Sequence, residues 1–423
     1  MSPIQIEQVT LDNGLRVNLA PDPSTPIVAV NLWYGVGSRN ERPGKTGFAH
    51  LFEHMMFEGS LNIPKGLHWE LVERAGGSMN ASTWFDRTNY FETLPSHHLE
   101  LALWLESDRM GWMLPAITEE KLDNQRNVVM NEKRQRYDNQ PYGDWGEKMQ
   151  AMVYPESHPY HHTVIGSMED IEGSTLEDVS DFFKTFYVPN NAVITICGDF
   201  DPNSGIKLVE KHFGDIPKGS PIPDIPGEPV LPQLIGETKR EHVQGDVPLP
   251  RVIMGFRIPP YTEKGFYAAD VASSVLGSGH SSRLYDALVR KKRIAKDVTS
   301  FVFPLTTGAG MLMVWATGLP DGSVDDLEGV MSDEIEKMNS IRDEEISRIV
   351  ALTETSFTRQ IERVSERADL LSMFTQFFDD PCLLNSEVER LSSVSAEEVE
   401  SFTSDFLGED NRAVLTYMPG DKS

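Results

Sequence analysis

The stretch GFAHLFEHMMFEGS, residues 47–60, decides the fold, because it places three ionisable side chains within five residues of a largely apolar segment. These are His50, Glu53 and His54. Burying such groups without partners is costly, so their position calls for a specific partner. The pattern predicts a buried helix over residues 46–58, on which residues four apart share one face. His50 and His54 can then present two imidazole rings to one metal ion.

Glu53, which lies between the two histidines in the sequence, is displaced from both of them around the helix axis. Zinc held by three protein ligands keeps a fourth position open for a water molecule and lowers the pKa of that water to about 7. A carboxylate beside the ion can accept the proton during attack on a carbonyl and return it to a leaving amine. The alternative is that both histidines are core residues with satisfied hydrogen bonds.

A third metal ligand has to come from another element, and a helix predicted at about 118–138 supplies a candidate. Glu132 lies on this helix among Val128, Val129 and Met130, where an isolated carboxylate is costly and a metal ion explains it. The alternative interpretation is an exposed glutamate on a highly charged helix.

Length and composition restrict the class of protein. The chain has 423 residues, which favours two domains, and 65 acidic against 38 basic residues give a net charge of −27. This charge argues against nucleic acid or an anionic membrane as a partner. No run reaches the ~18 apolar residues of a membrane-spanning helix. The first residues do not resemble an export signal, which predicts a cytoplasmic protein unless a leader has been removed.

The order of the predicted elements repeats along the chain. A Pro/Gly-rich stretch at 214–236 separates two halves, each of which reads strand, helix, helix, two strands and further helices. We therefore predict an α+β protein of two tandem, similar domains: an N-terminal domain at 1–215, a linker at 216–238 and a C-terminal domain at 239–423. Cys197 and Cys382 are predicted to be buried thiols without a disulfide.

The motifs resemble those of the M16 metallopeptidases, the inverzincins. The inverted H-x-x-E-H motif is followed by a glutamate in the context QRNVVMNE, residues 125–132. Similar blocks continue through NASTWFDRTNYFETLP at 80–95, VPNNAVITICGDFD at 188–201 and GSGHSSRLYDAL at 277–288. The family includes pitrilysin, insulin-degrading enzyme and the mitochondrial processing peptidase, and the resemblance is closest to the short, two-domain M16B subunits.

This resemblance implies a fold and an activity. Each of the two homologous domains is expected to be an α/β sandwich, with an antiparallel-rich sheet covered by helices, and the pair forms half of a clamshell. The implied activity is zinc-dependent endoproteolysis of peptides or unfolded segments inside a closed chamber.

The resemblance also assigns roles to residues, with one zinc ion per chain. Asn80 and Ala81 match positions on an edge strand that contacts the peptide, and Gln125 lies where many relatives have an acid that supports the site. The resemblance further implies that His50, His54 and Glu132 bind the zinc ion and that Glu53 is the general base.

One family feature is missing. Many catalytic members carry an Arg and a Tyr seven residues apart that stabilise the oxyanion, but in SRLYDALVRKKRIAKDV, residues 282–298, Val289 and Lys296 occupy these positions. The absence favours a heterodimer with a homologous subunit that donates both side chains. Two alternatives stay open: a self-sufficient homodimer that uses Lys296 or the basic cluster 290–293, and a non-catalytic scaffold of the same fold.

Overall fold

A computed structural model of the chain describes residues 3–420. The strands are β1 (Glu7–Thr10), β2 (Arg16–Pro21), β3 (Ile27–Tyr34), β4 (Ser78–Thr83), β5 (Thr88–Pro95), β6 (Ala192–Gly198), β7 (Glu237–Gly245), β8 (Arg251–Ile258), β9 (Ala295–Phe303), β10 (Gly310–Gly318) and β11 (Asn411–Pro419).

The chain also forms a set of α-helices. They are α1 (Phe48–Met55), α2 (Leu67–Arg74), α3 (Leu99–Trp112), α4 (Glu119–Lys133), α5 (Trp145–Val153), α6 (Met168–Glu172), α7 (Leu176–Phe186), α8 (Pro202–Phe213), α9 (Gly265–Gly277), α10 (Val324–Glu336), α11 (Asp343–Ile361), α12 (Val364–Phe378), α13 (Glu387–Ser392) and α14 (Ala396–Phe406). Two π-helical segments also occur, at Arg134–Asp138 and at Tyr285–Lys291.

The first compact unit is built around a six-stranded sheet in the order β1-β2-β6-β3-β5-β4. Alternate residues of β3 point to opposite faces, as expected for a strand buried on both sides. One face packs with α1, α3, α7 and α8 in a single large apolar core. On the other face, Ala29 and Cys197 pack against Leu371 and Phe374 of α12.

A buried acid fastens α12 to this second face. Asp369 accepts hydrogen bonds from the Trp33 indole at 2.8 Å, from the Asn89 amide at 3.0 Å and from the Asn31 amide at 3.2 Å. Because each donor projects from a strand, the three bonds fix the position of the helix on the sheet.

The second unit contains a five-stranded sheet in the order β7-β11-β8-β10-β9. Its β7–β11 pair is parallel and its other pairs are antiparallel, which repeats the arrangement of β2-β6-β3-β5-β4 in the first unit. Helices α9, α10 and α14 pack on this sheet. Helix α5 also packs on it, since Arg257 of β8 donates to the Val153 carbonyl and Tyr417 of β11 donates to Asp144 at 2.6 Å. The prediction of two tandem domains of similar topology is confirmed.

Each unit is assembled from three segments of the chain. The first unit contains the residues up to 132, then 163–226 and 356–387, and the second contains 133–162, 227–355 and the residues from 388 on. The chain passes from one unit to the other at 226–227, inside the predicted linker. The units also exchange two helices: α5, from the first half of the chain, belongs to the second unit, and α12, from the second half, belongs to the first. They therefore differ from the linear division predicted above. The amphipathic pattern of a helix shows that it covers a sheet, not which sheet it covers.

One further detail of the sequence prediction is wrong. Cys382 is exposed rather than buried, whereas Cys197 is buried, and both thiols are free. Within residues 3–420, none of the helices is long and apolar enough to cross a membrane.

Candidate metal centre

Helix α1 begins under tight constraints that fix its direction. Gly47 has φ +83°, and a Cβ at this position would lie 2.4 Å from the Ile165 carbonyl oxygen, so only glycine fits. Glycine has no side chain with which to cap the helix. The buried Glu41 carboxylate does this instead, accepting the Gly47 N–H at 2.9 Å and the Ala49 N–H at 2.7 Å. A carboxylate at a helix N-terminus satisfies free N–H groups and the helix dipole together.

The body of α1 is held in an aromatic core. The Phe52 ring lies 4.4 Å from Tyr187 and 5.2 Å from Phe182, and Phe48 lies 5.1 Å from Phe182, measured between ring centroids. Because a helix of eight residues is marginal alone, this packing and the Glu41 cap make α1 a rigid support for the polar residues on its open side.

His50, His54 and Glu132 converge, as the sequence predicted. The Glu132 Oε2 atom of α4 lies 3.5 Å from His54 Nε2 and 3.9 Å from His50 Nε2. The three ligand atoms lie within 4.8 Å of one another. Tetrahedral zinc with ligands at about 2.0–2.1 Å places its ligand atoms roughly 3.3 Å apart, and two histidines with one carboxylate are a frequent zinc ligand set. The three residues therefore fit zinc with a slight contraction, and each stays partly exposed to solvent.

Glu53 lies beside these ligands and is held by β4. Its Oε2 atom accepts a hydrogen bond of 2.6 Å from the Thr83 hydroxyl. Burial raises the pKa of the Glu53 carboxyl, while the Thr83 hydrogen bond and the nearby His54 and Arg87 lower it in part. A carboxyl group with a raised pKa is suited to accept and release a proton near neutral pH.

Strand β4 is the outer strand of its sheet, as expected for the segment that contains Asn80 and Ala81. It pairs with β5 on one side only, with Asn80 opposite Phe91 and Ala81 opposite Tyr90. The Asn80 side chain accepts the Ala81 N–H at 2.9 Å. Thr83 belongs to the same strand, so the open edge runs next to Glu53.

Gln125 lies on α4, the helix that also carries Glu132. Its side-chain amide contacts the loop that follows α1. It donates to Glu58 Oε1 at 2.5 Å, and Lys65 lies 2.6 Å from the same oxygen atom. Glu58 is 1% exposed, so this bridge joins α4 to a buried carboxylate shortly after α1. The structure thus shows Gln125 supporting the loop that follows α1.

Two residues of the basic cluster 290–293 in the second unit pair with one carboxylate. Lys291 lies 2.7 Å and Arg290 3.8 Å from the Asp286 carboxylate. Lys296 is an exposed residue at the start of β9, and Val289 lies in the π-helical segment before it.

The structure adds Glu41 and Thr83 to the residues that shape the site. Sequence reasoning missed both, because Glu41 precedes its helix and Thr83 reaches Glu53 only through the pairing of β4 with its sheet. A weak signal was present for Glu41, which is an acidic residue close before a helix that opens on glycine.

A Glu41→Ala variant is expected to bind zinc about tenfold more weakly, because the helix that carries His50 and His54 loses a cap worth roughly 1–2 kcal/mol. Glu41→Gln keeps one acceptor oxygen and is expected to fall between this variant and the wild type. Isothermal titration with zinc measures the effect, with the exposed surface residue change Glu70→Gln as the control. Wild-type affinity in Glu41→Ala would show that the aromatic core alone positions α1.

Comparison with known proteins finds two family matches, one after the other along the chain. Residues 16–157 match the family described as Insulinase (Peptidase family M16), and residues 174–352 match the Peptidase M16 inactive domain. The chain is similar to the zinc protease PqqE of Helicobacter pylori, with 33% identity over 410 residues that cover 95% of this chain and 88% of the relative.

Solved structures agree with this similarity. The crystal structure of a protease from Helicobacter pylori superimposes with a TM-score of 0.92 at 30% identity, covering 99% of this chain and 100% of that one. A peptidase M16 inactive domain from Pseudomonas fluorescens gives a TM-score of 0.86 at 17% identity, covering 99% of each chain, which shows a common fold.

Proposed function

Because the chain belongs to the M16 peptidase family, we propose that it is a zinc-dependent endopeptidase subunit that cleaves peptides or unfolded segments. The observation that carries the proposal is the convergence of two imidazoles and a carboxylate from distant segments, with a second carboxylate and an open strand edge beside them.

His50, His54 and Glu132 would hold the zinc ion. When bound, zinc polarises the scissile carbonyl and acidifies a water molecule. The partial exposure of the three side chains leaves room for a substrate above them.

Glu53 would move the proton. The Thr83 hydroxyl fixes its Oε2 atom and so restricts rotation of the carboxylate. The carboxylate takes a proton from the attacking water molecule and delivers it to the leaving amine. Burial raises the pKa of Glu53 and favours the protonated form between these two steps.

The free edge of β4 would orient the substrate. An extended peptide pairs its backbone with an exposed strand whatever its side chains are, and this fixes the scissile bond relative to Glu53. The Ala81 N–H is bound by the Asn80 side chain, so an arriving peptide has to displace that side chain to use the N–H.

The oxyanion donors would come from a homologous partner subunit. The resemblance to catalytic family members places Val289 and Lys296 where an Arg and a Tyr are expected, and neither residue reproduces that pair. Arg290 and Lys291 pair with Asp286, which makes these two residues less available as substitutes and so supports a partner. The intact set of ligands and base argues against a purely structural subunit.

A Glu132→Gln variant tests the metal centre directly. The wild type is expected to keep one zinc ion per chain through gel filtration, whereas the variant loses most of it, because an amide is a poorer ligand than a carboxylate. Glu120→Gln, an exposed change on the same helix, is the matched control. Elemental analysis gives the stoichiometry, and equal zinc content in wild type and Glu132→Gln would contradict the proposed ligand set.

A further inference from the structure

A second group of titratable side chains is buried in the unit that holds the metal centre, outside the proposed site. It comprises His68 of α2, Glu92 of β5, and Glu106 and Arg109 of α3, which are between 1% and 6% exposed. Burying four such groups is expensive unless their charges and hydrogen bonds are balanced.

Contacts within the cluster leave several polar atoms unpaired. His68 Nε2 lies 2.9 Å from Glu92 Oε1 and 4.0 Å from Glu106 Oε1, and Arg109 forms an ion pair with Glu106 Oε1. One ligand atom each of His68, Glu92 and Glu106 lie within 4.8 Å of one another, so the two carboxyl groups are close neighbours. The Oε2 atoms of both carboxyl groups, and the Nε and Nη1 atoms of Arg109, are buried without a hydrogen-bond partner among residues 3–420.

A charge count shows what is missing. Arg109 contributes one positive charge and two ionised carboxylates contribute two negative charges. His68 is neutral, because burial and the nearby Arg109 lower its pKa to about 3. The ionised cluster therefore has a net charge of −1, and one added proton brings it to zero. A proton between the carboxyl groups also supplies a hydrogen-bond donor to one of their unpaired oxygen atoms.

We propose that Glu92 and Glu106 share one proton inside this unit, and that loss of the proton as the pH rises weakens the packing around the metal-binding helix. Burial raises the pKa of both carboxyl groups above the ordinary range, which favours the retention of a proton by the pair and so supports this arrangement. The cluster lies close to α1. The guanidinium carbon of Arg109 lies 4.1 Å from the ring centroid of Tyr90 and 5.1 Å from that of Phe57, which comes shortly after α1 in the sequence.

Other charged and titratable groups around the pair do not provide the proton. Asp108 accepts hydrogen bonds from Ser60 at 2.5 Å and from the Asn62 amide at 2.6 Å. Burial raises the pKa of the surrounding phenols, which stay neutral, and these are Tyr34, Tyr90 and Tyr187.

A divalent cation is a poorer solution for the same cluster. With Arg109 it would change the net charge from −1 to +1, and Arg109 already occupies Glu106 Oε1. A single proton leaves the cluster neutral.

The sign of the pH dependence follows from the raised pKa values. From the ordinary carboxyl pKa of 4.5 up to about 7, the folded protein binds a proton that the unfolded chain has released. The ratio of folded to unfolded protein therefore falls by up to about tenfold per pH unit across this range and levels off above it.

Urea unfolding of the full chain between pH 5 and 9 tests the proposal, with Glu92→Gln and Glu70→Gln as the matched pair. Glu92→Gln mimics the neutral acid and is expected to lack this part of the pH dependence, whereas Glu70→Gln keeps it. Parallel wild-type and Glu92→Gln curves would overturn the proposal.

If Glu92→Gln fails to fold, infrared spectroscopy provides a second test of the proposal. The wild type at pH 6 is expected to show a protonated carboxyl band that disappears as the pH rises and is absent from Glu106→Gln. A band unchanged in Glu106→Gln overturns the assignment. A second metal ion that stays bound in Glu132→Gln would also overturn the shared-proton assignment, in favour of a metal site. Neither the infrared result nor the metal content of this cluster decides whether the chain is a peptidase.

Discussion

A Glu53→Gln variant is expected to bind one zinc ion per chain and to cleave peptides about 10²- to 10⁴-fold more slowly than the wild type, the usual contribution of a general acid–base group. The amide keeps the shape of the carboxylate, and its oxygen can still accept the Thr83 hydrogen bond. It cannot take up a proton from the attacking water. The loss should therefore appear in kcat and leave zinc content unchanged.

The measurement pairs initial rates on an unstructured fluorogenic peptide with elemental analysis of the same samples. Glu70→Gln, which removes an exposed carboxylate on α2, is the control for charge alone. Wild-type rates in Glu53→Gln would remove Glu53 from the proposed mechanism. Loss of zinc together with activity would instead assign Glu53 to the metal centre.

Mixing the chain with a homologous subunit that carries the Arg and Tyr pair is expected to raise peptidase activity by about 10²- to 10³-fold for each oxyanion donor gained. Alone, the chain has metal ligands and a base but Val289 and Lys296 at the positions of the donors. The missing stabilisation acts on the transition state, so kcat should respond more than zinc binding.

The experiment compares the chain alone, the partner alone and the mixture, each with wild-type and Glu53→Gln versions of this chain. Activity of the isolated chain equal to that of the mixture would refute the heterodimer and direct attention to Lys296. Bound zinc without cleavage in any combination would favour a structural subunit.

The convergence of His50, His54 and Glu132 was predictable in part, because much of its information is local. The spacing of His50 and His54 on one helix predicts a shared ligand face, and the apolar residues between them predict burial of that helix. Glu132 was predicted less directly, since a glutamate on a charged helix acquires meaning only from a family resemblance or from a structure. Its distance of 3.5 Å from His54 confirms that the two segments meet.

Other parts of the structure depend on contacts that no local pattern encodes. Glu41 caps α1 from outside the helix, and Thr83 reaches Glu53 because β4 pairs into the sheet beside α1. The pairing of Glu92 with Glu106 joins a strand to a helix. In each case the sequence shows an ordinary polar residue, and only tertiary packing makes it part of a cluster.

The exchange of α5 and α12 has a consequence for biosynthesis. The sheet that supports the metal centre receives its cover, α12, from residues 364–378. While a ribosome is still translating the second half of the chain, Ala29 and Cys197 face water on one side of that sheet. We therefore expect this face of the first unit to be covered only after residues 364–378 have been synthesised.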